Sequence, residues 1–140
     1  AQYAYTASDK EQFSLKVLKF TDNGIGQHFR GSGTVVATYT LNLSAFNNDD
    51  WEDISLGPCT DSNVDSAYST TDTCIYIGNF GNNARSGYVQ RDVLKIFKFK
   101  EPIINNAAPQ SFAVNVATIQ YRYGDNFFLT YNDAETMFVD

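Results

Sequence analysis

VLKIFKF at residues 93–99 is nearly a copy of SLKVLKF at residues 14–20, and that likeness decides how the rest of the chain is read. Leu15 lies over Leu94, Lys16 over Lys95, Lys19 over Lys98 and Phe20 over Phe99, an offset of 94 − 15 = 79. Further along, VVATYTL (35–41) lies over ATIQYRY (117–123), with Tyr39 on Tyr121 at an offset of 121 − 39 = 82. DWEDISL (50–56) then lies over DAETMFV (133–139), with Asp50 on Asp133 at an offset of 133 − 50 = 83. Three matches in the same order, with a slowly growing offset, are the mark of an internal repeat whose unit is one supersecondary structure.

Alternation and turn residues divide the unit into strands. Residues 51–56 read as a first strand ended by Gly57-Pro58, 74–80 as a second, 92–99 as a third and 111–123 as a fourth ended by Gly124-Asp125. Residues 134–139 start the unit again. No long segment has apolar residues spaced i, i+3, i+4, i+7 with caps, so helices are expected to be few. Four antiparallel strands per repeat, opening on an acidic motif, are expected to form a β-propeller blade. On this register the fold is all-β: residues 1–49 hold the end of one blade, 50–132 a complete blade (strands within about 50–124) with its connecting loop, and 133–140 the start of the next. A closed ring needs about four blades or more. The chain is therefore expected either to be a piece of a longer protein, the favoured reading, or to assemble as copies that complete one another's blades.

Composition agrees with a pleated, folded domain. The chain has 140 residues, 43% hydrophobic and 15% aromatic, with nine Tyr and eleven Phe. A net charge of −6 argues against binding nucleic acid, which needs clustered Lys and Arg to neutralise phosphates. No run of 18 apolar residues exists to span a membrane, and AQYAYTASDKEQ at the start lacks the layout of a signal peptide. Cys59 and Cys74 bracket the polar segment TDSNVDSAYSTTDT (60–73), which reads as a hairpin loop closed by a disulfide, the alternative being two free thiols. A zinc site is disfavoured because the single histidine, His28, is distant in sequence. Asn42-Leu43-Ser44 is a glycosylation sequon, and with the cysteines it points to a secreted or cell-surface setting.

Four stretches taken together, DWEDISLGP (50–58), CIYIGNFGNN (74–83), RDVLKIFKFKEP (91–102) and YRYGDNFFLTYNDAETMFVD (121–140), resemble a family of extracellular and periplasmic β-propeller proteins. Members of that family carry a D-W-E-D-I-A strand, then V-G-D-I-G-D-N, an R-x-x-x-x-I-Y-x-x-x-E-P strand, and Y-x-D-G followed by D-A-E-A-L. The resemblance runs over residues 34–140 and implies the propeller fold rather than an activity. Where the family has aspartates in its second motif this chain has Asn79 and Asn82, which keep an oxygen but lose the charge, so a cation site there would be weakened. Glu52-Asp53 is also similar to the Glu-Asp pair that holds calcium in the tunnel of paraoxonase-like lactonase propellers.

Strand alternation places Asp50, Glu52 and Ile54 on one side and Trp51 and Asp53 on the other. Two uses follow for these carboxylates. They could accept backbone N–H groups of the same or the next blade, fastening blades together while Trp51 packs between sheets. They could instead join Asp133, Glu135 and Asn79 as oxygen ligands of a calcium ion. Acid-base catalysis by paired carboxylates, as in glycoside hydrolysis, is a third and weaker use. A triad is disfavoured with one histidine and no nucleophile elbow. GNFGNN (78–83) ends a strand with no helix behind it, so its glycines read as turn residues, as do those of TDNGIG (21–26), rather than as a phosphate loop. Arg91, Lys95 and Glu101 read as the charged face of a strand. The function expected is that of an extracellular structural or interaction module, stabilised by calcium if the carboxylates bind it, whose partners are the rest of a longer chain or copies of itself. The alternative is a calcium-dependent hydrolase of the lactonase or esterase type.

Overall fold

The computed structural model describes residues 2–7, 13–20, 33–43, 51–59, 72–80, 93–105, 109–122 and 136–138. Among them are eight strands and no helix: β1 (Gln2–Ala7), β2 (Ser14–Phe20), β3 (Thr34–Asn42), β4 (Trp51–Pro58), β5 (Thr73–Asn79), β6 (Leu94–Lys100), β7 (Gln110–Asn115) and β8 (Ala117–Tyr121). They form two open four-stranded sheets, β1-β2-β3-β7 and β4-β5-β6-β8. The second sheet is antiparallel throughout, and in the first only β3 and β7 run parallel.

The core lies between the sheets. Leu15, Val17, Ala37, Tyr39 and Leu41 of the first meet Ile75, Ile77, Phe97 and Phe99 of the second, and Trp51 closes one end. Tyr39 is the hub, with its ring edge-on to Phe99 at 6.0 Å across the gap and to Phe112 at 5.5 Å within its own sheet. Aromatic pairs at these distances add specific geometry to the burial of large apolar area.

Three strands of each sheet are paired in the same order, with matching registers up to a shift after Val17. Leu15 pairs with Tyr39 as Leu94 pairs with Tyr121, and Val17 with Ala37 as Ile96 with Ile119, at offsets of 96 − 17 = 79 and 119 − 37 = 82. β1 corresponds to β5 in the same way: Tyr3 pairs with Lys19 as Tyr76 pairs with Lys98, with 76 − 3 = 73 and 98 − 19 = 79. β4 has no counterpart beside β1 among the described strands. Period-2 geometry then fixes the faces. Leu15, Val17, Ala37 and Tyr39 look toward the second sheet, while their equivalents Leu94, Ile96, Ile119 and Tyr121 look away from the first.

Several expectations are corrected. The strand expected over 111–123 is two strands in different sheets: β7 joins the first, and after Val116 β8 completes the second. Gly57-Pro58 does not end β4, which runs through Pro58, and β1 is an element that the repeat did not announce. Residues 136–138 belong to neither sheet, and the rest of the strand expected at 134–139 lies outside the described residues.

Candidate functional site

The acidic motif opens β4, and its geometry differs from simple alternation. Trp51 pairs with Asn79, Asp53 with Gly78 and Ile54 with Ile77, the register shifting between Trp51 and Asp53. A β-bulge of this kind puts two residues opposite one and resets the phase of the strand. Trp51 and Asp53, expected on one side, therefore lie on opposite faces. Trp51 and Ile54 turn into the core between the sheets, and Asp53 turns to the far face of the second sheet.

There Asp53 accepts two backbone hydrogen bonds. Its Oδ1 takes the N–H of Ile54 at 2.8 Å, and its Oδ2 takes the N–H of Met137 at 2.6 Å, joining residues 84 apart in sequence. The first bond steadies the bulge and the second pins the 136–138 segment onto the sheet. The Met137 side chain packs there against Cys59, Cys74 and Tyr76 with Ile96. This is the fastening use of a carboxylate, charge-assisted at the acceptor.

Of the other residues named as calcium ligands, Glu52 sits in the bulge, half-buried, with an interaction of its own. Asn79 ends β5, buried on the face toward the first sheet and so across the sheet from Asp53. Asp50, Asn82, Asp133 and Glu135 lie outside the described residues, as does His28. Among the described residues no three His, Cys, Asp or Glu side chains lie close enough to share a metal ion.

Cys59 and Cys74 form a disulfide with Cα atoms 5.0 Å apart, tying the end of β4 to the start of β5. The Tyr76 hydroxyl donates to Pro58 O at 2.7 Å beside it, and the Lys98 ammonium lies 5.7 Å from the Tyr76 ring centre. Asn42 is exposed at the end of β3 and its Nδ2 donates to Asn115 Oδ1 of β7 at 2.7 Å. Gly78 is not a turn residue. It lies inside β5, and the Phe80 ring packs so closely over it that a Cβ would stand 1.9 Å from Phe80 Cε1.

One polar contact and two buried polar atoms escaped the sequence. Glu101, expected on a charged face, is half-buried and accepts a hydrogen bond from the Tyr5 hydroxyl, bridging the two sheets. Burial pushes its carboxyl above the usual carboxylate range. Tyr39 Oη and Trp51 Nε1 are buried without a hydrogen-bond partner among the described residues, and burial pushes the Tyr39 phenol up to about 12. No helix among the described residues is long and apolar enough to cross a membrane. Compared with known proteins, the chain matches no protein-family model, no curated protein and no solved structure.

Proposed function

We propose that the chain is an extracellular structural or interaction module, a run of stacked four-stranded sheets of the propeller-blade kind that works as part of a larger protein or assembly. The observation that carries this reading is β5, in which six residues in succession, Cys74 to Asn79, are buried. A strand buried on both faces belongs to an interior sheet, one that has a layer on each side. The first sheet covers one face. On the other, Met137 is seated by Asp53, while Ile119 is 42% exposed and Phe138 85% exposed.

Asp53, whose contacts are defined on both oxygens, is engaged as a fastener, and this favours the module over a calcium-dependent hydrolase. The disulfide supports an oxidising, extracellular compartment, and exposed Asn42 is the residue on which a glycan would be carried there. Both Asp53 oxygens accept backbone N–H groups, so the reading calls for no calcium ion there.

Sedimentation velocity tests the reading. The purified chain is expected as particles larger than its own 15.6 kDa, and Ile119→Lys on the far face of the second sheet is expected to dissociate them with an unchanged far-ultraviolet circular dichroism spectrum. A wild-type chain that sediments as a 15.6 kDa monomer with a sharp cooperative melt would overturn it.

A further inference from the structure

The two sheets are unequal in one respect that suggests how copies meet. The second sheet has four strands of the repeat, β4-β5-β6-β8. The first has the equivalents of β5, β6 and β8 in β1, β2 and β3, and β1 is its edge. The 136–138 segment is the opposite case. It is the repeat equivalent of residues 53–55 in β4, at 137 − 54 = 83, yet belongs to neither sheet. Ile54 packs against the core between the sheets, and its equivalent Met137 packs in the same sense on the far face of the second sheet. A further sheet has thus been started on that face, continuing the sheet-on-sheet contact already made within the chain.

We infer that this segment of one copy pairs along β1 of a second copy, so that the first sheet of the second copy stacks on the second sheet of the first. The inference rests on the module reading above and names its partner. The register follows from the pairs within the chain, in which Asp53 faces Gly78, Ile54 faces Ile77 and Ser55 faces Tyr76. Moving β4 forward by 83 and β5 back by 73 sets Thr136 against Tyr5, Met137 against Ala4 and Phe138 against Tyr3 of the second copy.

Exposure supports the same contact. Phe138 is 85% exposed and Tyr3 37% exposed in a single copy, and the pairing makes them cross-strand aromatic neighbours. Val35, 39% exposed on the outer face of the first sheet with Leu18, would meet Ile119 and Ile96 on the far face of the second. β1 is an edge among the described strands, and such an edge is the usual template for adding a strand from another chain. The contact is head-to-tail, so it closes into a ring or extends. Each copy brings two sheets, so rings of about two to four copies would fall within the range of about four to eight blades known for propellers.

Cysteine pairing tests the register at residues that a single copy leaves exposed. Phe138→Cys protein is mixed with Tyr3→Cys protein under oxidised glutathione, and a disulfide-linked dimer is expected as the main product. Phe138→Cys mixed with Thr6→Cys, about 10 Å further along β1 and on its other face, is expected to give none. Particles larger than one chain without the Phe138–Tyr3 cross-link would overturn this pairing and leave the module reading standing. A monomer without the cross-link would overturn both.

Discussion

Asp53 shows how far a single residue could be read. Its place at the opening of a repeat and its use as a backbone fastener were legible, because a carboxylate at a strand start meets unpaired N–H groups of neighbouring chain. The face that it occupies was not. Simple alternation put it with Trp51, and the register shift between Trp51 and Asp53 separates them, with no glycine or proline within β4 at that point to announce a bulge. Hydrogen bonds to charged groups contribute about 1.5–3 kcal/mol each. Asp53→Ala removes the acceptor for both Ile54 and Met137 and is expected to lower the unfolding free energy by about 3 kcal/mol, the low end for two such bonds at a half-buried site, in urea titration, with Asp53→Asn losing less because one oxygen remains. Because both bonds come from backbone N–H groups, excess EDTA is expected to leave the wild-type melting temperature unchanged. A fall of several degrees would instead show that a divalent ion stabilises the fold.

At the scale of elements, the strands with dense β-branched and aromatic residues were legible, β2, β4, β5 and β6 within a residue or two at most ends. β1 was not, since its two alanines and glutamine dilute the strand signal of its two tyrosines and threonine. The change of sheet between β7 and β8 is invisible for a different reason. Phe112, Val114 and Val116 turn to the core, and Thr118 shares a face with Phe97, so the period-2 phase runs unbroken through the switch. Sequence periodicity reports which face is buried and is silent on which neighbour supplies the hydrogen bonds. The disulfide was legible from spacing and context. It closes a separation of 15 residues between β4 and β5, a loop for which the chain-entropy model gives about 3 kcal/mol. Replacing Cys59 and Cys74 together by alanine is expected to lower stability by about that amount, read from the urea midpoint at constant slope.

For the whole molecule, the all-β class was legible, and the packing of two four-stranded sheets with a polar bridge between them was not. Tyr5 and Glu101 are 96 residues apart, and only the packing of the first sheet on the second brings them together. The bridge makes sheet stacking sensitive to pH, with a sign fixed by the Glu101 carboxyl, which burial holds above its ordinary value. A carboxyl raised in the folded state binds its proton more tightly there than in the unfolded chain. Its contribution is therefore fully present below the unfolded value of 4.5 and is lost as pH rises through the higher folded value. Glu101→Gln keeps an oxygen to accept from Tyr5 and removes the charge that burial disfavours. The variant is expected to melt at a higher temperature than wild type at pH 7 and at the same temperature at pH 4, where the native carboxyl is already protonated. Calorimetric scans at the two pH values check this, and a variant that melts lower at pH 7 would mean that the ionised carboxylate, not the neutral acid, holds the two sheets together.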